Sequence, residues 1–108
     1  MPVEILYSSD VLKGTNIVQV CNCVTKRPRG LSEQIFKAFP AANIYAGRTV
    51  PDTPGQVKSF DVGGGRRVFN LLAQRLPGEP GKYAKRYGCT DPDTRQDRHR
   101  WFVECLKV

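Results

Sequence analysis

No stretch of this chain approaches the ~18 consecutive apolar residues that a membrane-spanning helix needs. Residues Met1 to Asp10 have neither a basic start nor a long apolar centre. The expectation is a cytoplasmic chain that is neither secreted nor embedded in a membrane. Cysteine is scarce: Cys21, Cys23, Cys89 and Cys105 are the four present, and no C-x-x-C pair is among them. Four could close two disulfides, but there is no sign of secretion and a single residue separates Cys21 from Cys23, so they read as reduced thiols. With no paired thiols and His99 as the one histidine, zinc is not expected, nor is any other metal or cofactor. His99 lies between Arg98 and Arg100 and reads as solvent-facing. No Ser-His-Asp order is present.

Acidic residues are also in short supply. Ten Asp and Glu stand against 17 Lys and Arg, for a formal charge of +7 and a sequence pI near 9.5. Long-range attraction then favours partners that carry phosphate, a class that includes nucleic acid, nucleotides and phosphorylated sugars. The basic residues are spread along the chain and form no tail. Apolar residues are 40% and charged residues 25% of 108 positions, which predicts a folded chain and one domain spanning residues 1–108.

Hydrophobic spacing gives an α/β order. Val3, Ile5 and Tyr7 alternate within Pro2 to Tyr7, and Asn16 to Val24 is apolar without Gly or Pro, so both read as strands. The second is apolar on both faces, as in a strand covered by helices on each side. Leu31, Ile35, Ala38 and Phe39 fall at i, i+4, i+7 and i+8, a short amphipathic helix closed by Pro40. Residues 40–54 hold three prolines and read as irregular. Gln56 to Val62 and Arg66 to Leu72 flank Gly63-Gly64-Gly65, a hairpin signal that outweighs a phosphate cradle because no helix follows. Gln74 to Thr90 reads as a long loop, of the kind that is often functional. A last helix is expected to start at Thr90 or Asp91, with Pro92, Asp93 and Asp97 in its first turns and Trp101, Phe102, Cys105 and Leu106 as its buried stripe.

The unit most able to carry chemistry is Ile17 to Phe39. A strand ends at Cys21-Asn22-Cys23, a basic loop follows, and a helix begins. Ligands in α/β sheets sit beyond the carboxyl ends of strands, and helix-start N–H groups attract phosphate. Gly30, Leu31 and Ser32 would supply those groups. Asn22 can orient a ribose hydroxyl or tie down the adjacent loop, and spacing does not choose between the two. Lys26, Arg27 and Arg29 can pair with phosphate or form a solvated loop.

Here the order of residues resembles a known family, the macro domain. The run I-V-Q-V-C-N-C from Ile17 to Cys23, R-G-L-S from Arg29 to Ser32 and A-F-P from Ala38 to Pro40 are similar to the branch containing DNA-ADP-ribosyl glycohydrolases and ADP-ribose phosphatases. Tyr45, Pro54-Gly55, N-L-L-A-Q from Asn70 to Gln74, D-x-x-x-R from Asp91 and W-F-x-x-C-L from Trp101 continue the order. The resemblance implies a macro-domain-like mixed sheet flanked by helices. It implies an adenine contact from Asp10 with Val11 beside it, a distal-ribose contact from Asn22 as the catalytic positioning residue, and a diphosphate contact from Gly30, Leu31 and Ser32. Three differences from the family stand out. The usual glycine-rich loop is Thr25-Lys26-Arg27-Pro28-Arg29-Gly30. Gln74 stands where glycohydrolases carry a catalytic lysine. The family continues past the last helix into a further strand, phosphate loop and helix, so the resemblance implies an abbreviated member or the N-terminal part of a longer domain.

The resemblance implies binding of ADP-ribose or a derivative such as an ADP-ribosylated substrate, alone or with hydrolysis of a terminal phosphate or ADP-ribosyl bond. The alternative is a noncatalytic nucleic-acid-binding or protein-interaction module on the same scaffold. An abbreviated sheet with an open edge or face also predicts a homodimer.

Overall fold

The computed structural model describes residues 16–107. The expected strand at Pro2 to Tyr7, and with it Asp10 and Val11, lies outside the described residues.

Among the described residues three strands and two helices make a small α/β fold. The order is β1 (Asn16–Asn22), α1 (Leu31–Ala38), a 3-10 turn at Pro40–Ala42, β2 (Val57–Gly63), β3 (Arg66–Gln74) and α2 (Arg95–Leu106). The sheet order is β1-β3-β2, with β1 parallel and β2 antiparallel to β3. The hairpin between β2 and β3 turns at Gly64-Gly65, where φ is 63° and 73°. Positive φ at both central residues is what a two-residue type I′ turn needs, and it explains the glycine run.

Alternation sorts the side chains. Ile17 and Cys21 of β1 join Val68 and Leu72 of β3 on one face, packed against Ile35 and Phe36 of α1 and Tyr45. Leu71 and Ala73 point from β3 to the opposite face and are buried, and α2 packs on that strand through its buried Trp101 and Cys105. The strand buried on both faces is therefore β3. The expectation had placed β1 there, but Val18 and Val20 on its second face are 36% and 43% exposed. Apolar composition alone did not distinguish a covered face from an open one.

Boundaries near the prolines follow the sequence closely. Helix α1 ends at Ala38, and Phe39 donates its N–H to Ile35 O as Pro40 begins the 3-10 turn. Its buried positions are Ile35 and Phe36, while Leu31 is exposed. The start of α2 differs from expectation. Thr94 is the N-cap, and its side chain accepts the Asp97 N–H while Asp97 accepts the Thr94 N–H, a reciprocal capping box. Thr90 and Asp91 lie before it, Asp93 serves elsewhere, and Phe102 and Leu106 are exposed rather than buried. A capping box needs its acidic partner three residues on, which Thr94 and Asp97 satisfy.

Among the described residues no helix is long and apolar enough to cross a membrane.

Candidate functional site

Because β1 and β3 run parallel, their carboxyl ends emerge on the same side, with Asn22 opposite Gln74 in the register. From Val20 to Asn22 the first strand advances two residues while β3 advances from Leu71 to Gln74. The extra residue in β3 is a bulge at the strand ends, a device that re-aims side chains. A cleft of about 700 Å³ opens there. Its walls come from the loop between β1 and α1, the start of α1, Tyr45, and the long loop between β3 and α2.

Asn22 is 7% exposed and is fixed at three points. Its Oδ1 accepts the N–H groups of Val24 and Thr25 at 3.0 and 2.9 Å, and its backbone N–H donates to Tyr45 Oη at 3.1 Å. Asn22 therefore ties down its own loop through its carbonyl. Its Nδ2 donates to Tyr45 Oη at 3.5 Å, which leaves the second N–H of the amide for a ligand. Ser32 also borders the cleft, and its Oγ donates to Gln19 Oε1 at 2.9 Å. Gln19 Nε2 donates to Asn70 Oδ1 at 2.7 Å, and Asn70 Nδ2 donates to Ala42 O at 3.1 Å. A polar relay thus joins the cleft wall to the 3-10 turn on the same face of the sheet.

Gly30 and Leu31 do not line the cleft, unlike Ser32. Gly30 stands at the helix start with φ 60° and ψ −128°, a conformation that favours glycine, and no side chain caps the first turn of α1. The helix-start N–H groups therefore carry no side-chain cap among the described residues.

Charge at the cleft has one sign. Lys26, Arg27, Arg29 and Arg86 line it, and no Asp or Glu does. None of the four makes an ion pair among the described residues. Three tyrosines, Tyr45, Tyr83 and Tyr87, complete the wall. Tyr45 packs edge-on against Phe36 with centroids 5.6 Å apart, and the Arg48 guanidinium sits 5.0 Å from its ring centre. Arg48 also donates to Thr25 O at 3.0 Å and to Asp52 Oδ2 at 2.8 Å, so it braces the basic loop from behind. The hydroxyl oxygen of Thr25 is buried at the cleft without a hydrogen-bond partner.

None of the protonatable groups nearest Asn22 is a nucleophile or base at neutral pH. Burial pushes the Cys21 thiol up to about 11 and the Cys23 thiol to about 12, against a smaller opposing pull from the Arg48 charge. Burial likewise raises the Tyr45 phenol well above its ordinary value. These groups stay neutral at neutral pH, and what the cleft presents is hydrogen-bonding groups and cations. Among the described residues no three His, Cys, Asp or Glu side chains gather where a metal ion could sit.

Of the residues that line the cleft, sequence reasoning named Asn22, Ser32 and the basic loop after β1, and named none from residues 75–94. Tyr83, Arg86 and Tyr87 come from that loop. The signal was its K-Y-A-K-R-Y run, basic and aromatic residues interleaved in a connection too long to be a mere turn. Gln74 sits at the cleft with its Nε2 donating to Leu76 O at 2.9 Å, so its side chain braces the loop.

No protein-family profile, no curated protein and no solved structure matches the chain. The functional reading rests on this geometry and on the order of residues set out above.

Proposed function

We propose that this chain is a macro-domain-like protein that binds ADP-ribose or an ADP-ribose derivative in the cleft at Asn22. The observation that carries the reading is the cleft itself: about 700 Å³ at the carboxyl ends of two parallel strands, lined by four cations and three tyrosines and by no carboxylate. That volume suits a ligand of nucleotide size. The cations and the uncapped start of α1 suit a diphosphate, and the second N–H of Asn22 Nδ2 would donate to a ribose hydroxyl. The adenine contact assigned to Asp10 and Val11 and the roles of Gly30 and Leu31 belong to the same proposal.

Turnover is its second part, as hydrolysis of a terminal phosphate or of an ADP-ribosyl bond at the distal ribose. In that step an ordered water adds its oxygen to phosphorus or to the anomeric carbon, and the departing group leaves with the water's proton. The cleft's contribution is orientation and electrostatics, since Cys21, Cys23 and Tyr45 hold their protons. With Gln74 in place of a cationic side chain, a terminal phosphate is the better substrate of the two.

Calorimetric titration with ADP-ribose, AMP and ribose 5-phosphate tests the binding. ADP-ribose should bind tightest, and Asn22→Asp should weaken it at least about tenfold. That variant keeps the oxygen that holds Val24 and Thr25 while replacing the donor with a negative charge. Equal affinity for the three ligands, or none for ADP-ribose, overturns the reading. Asp10→Ala with unchanged affinity removes Asp10 from the site.

A further inference from the structure

The cleft does not end at the proposed nucleotide pocket. A second hollow of about 200 Å³ adjoins it, lined by Arg48, Thr49, Val50 and Pro51, and the two share Val24, Lys26 and Tyr87. Lys26 and Tyr87 therefore form a ridge between successive hollows. Tyr87 is 41% exposed, so its ring has a face to offer, and Lys26 has no ion-pair partner among the described residues. A cation and an exposed aromatic ring stand together at this step, and Arg86 and Tyr83 line the first hollow beside them, the residue types that hold phosphates and stack bases along a single strand.

The loop presenting these groups is braced. Lys82 N–H donates to Glu79 O, Ala84 N–H to Gly81 O, Tyr87 N–H to Tyr83 O and Cys89 N–H to Ala84 O, at 2.9 to 3.3 Å. Arg98 donates to Gly78 O at 2.8 Å and ties its root to α2. A platform held by its own turns loses little entropy when a strand lies on it.

We propose that the two hollows together form a track for single-stranded nucleic acid, with a base stacked on Tyr87 and a backbone phosphate on Lys26. This goes beyond the reading of the first hollow as an ADP-ribose pocket and does not depend on it. A free nucleotide leaves the second hollow empty, whereas a strand continues into it. A duplex would not engage the track, because its bases are stacked on one another and offer no face to Tyr87.

The test is fluorescence anisotropy with the full chain and fluorescein-labelled oligothymidylate, oligouridylate and a duplex of matched length, across a salt series. Both single strands should bind and the duplex should bind more weakly; a preference for the uridylate would identify RNA as the source. Tyr87→Ala should weaken strand binding about tenfold or more, while Tyr87→Phe, which keeps the ring, should bind like the parent. Lys26→Ala should make the slope of log affinity against log salt shallower by about 0.7, one phosphate contact. Lys37→Ala, a cation at the far end of α1, should leave the slope unchanged. Circular dichroism of each variant separates loss of a contact from loss of fold. Parent-like binding by Tyr87→Ala, or a duplex bound as tightly as the strands, overturns the track and leaves general charge attraction. A chain that titrates ADP-ribose but captures no strand defeats this inference alone; the converse defeats the ADP-ribose reading alone.

Discussion

Arg98 grips Asp93 at two points, Nε to Oδ1 at 3.0 Å and Nη2 to Oδ2 at 2.8 Å. The same carboxylate accepts the backbone N–H groups of Arg75 and Leu76 at 3.2 and 3.1 Å. Arg98 in turn donates to the carbonyls of Leu76 and Gly78. One ion pair thus fastens α2 to the root of the loop that carries Tyr83, Arg86 and Tyr87. The Asp93 side chain is 2% exposed and that of Arg98 17%.

Removing one partner of such a pair strands the other. Asp93→Ala is expected to lower stability by about 3 kcal/mol in a denaturant melt. A loss below about 1 kcal/mol, the range of surface pairs, would show that the pair is not a fastening.

Acid should undo the same contact. Burial works against the charged form of Asp93, but the Arg98 pair and the two N–H donors outweigh it and hold the carboxyl below its ordinary value. Asp52 is likewise held low, burial being outweighed there by Lys58 and Arg48. In the unfolded chain these carboxyls titrate near ~3.9. Their contribution to stability is therefore complete above about pH 5 and is lost as pH falls through the folded-state values. Stability measured by denaturant across a pH series should hold from neutrality down to about pH 5 and then decline. The decline should be shallower in Asp93→Asn, which has no charge there to lose, and a parent-like acid profile in that variant counts against the assignment.

Gly78 supports Tyr83 by having no side chain. Its φ is +73°, and a Cβ built there would come within 2.6 Å of the Tyr83 ring. Gly78→Ala should destabilise by about 1–2 kcal/mol from backbone conformation alone, and displace Tyr83 from the cleft wall as well. Gly81→Ala, at φ +78° with open space around the added carbon, carries only the backbone cost. A thermal melt of the two should place Gly78→Ala lower, and equal melts would show that Tyr83 yields freely.

The four thiols should separate by reactivity. All are free, and Cys21, Cys23 and Cys105 are buried while Cys89 is part-exposed. Burial raises the first three above the ordinary thiol value, which removes thiolate as well as access. At neutral pH a thiol reagent should modify Cys89 in the folded protein and the remaining three after denaturation. Fast labelling of Cys21 or Cys23 in the native state would contradict the packing described.

How much of this was legible in the sequence depends on how local the cause is. The Gly63-Gly64-Gly65 turn, the Pro40 stop and the strand at Ile17 follow from short-range rules, and all three stand in the structure. Burial is a long-range property. Val18 and Phe102 are apolar in sequence yet exposed because the sheet and α2 leave them uncovered. Asp93 reads as a helix-dipole residue until the chain folds and brings Arg75, Leu76 and Arg98 around it. Asn22 was placed at the site by its position at a strand end. Its division of labour, carbonyl to the loop and amide nitrogen to the Tyr45 hydroxyl, required a partner that arrives from 23 residues away.

Gln19 and Asn70 sit directly opposite each other in the parallel pairing of β1 and β3, and their amides meet inside the core. Sliding one strand by a single residue would set Gln19 against an aliphatic or aromatic neighbour, Phe69 or Leu71, and turn one amide away from the other. Each amide then left unpaired in an apolar interior would cost about 1–3 kcal/mol, and the slide would also set Val18 or Val20, according to its direction, opposite Asn70. The aliphatic residues make the two strands adhere, and the amide pair acts as the proofreading step that tells a correct alignment from a shifted one during folding.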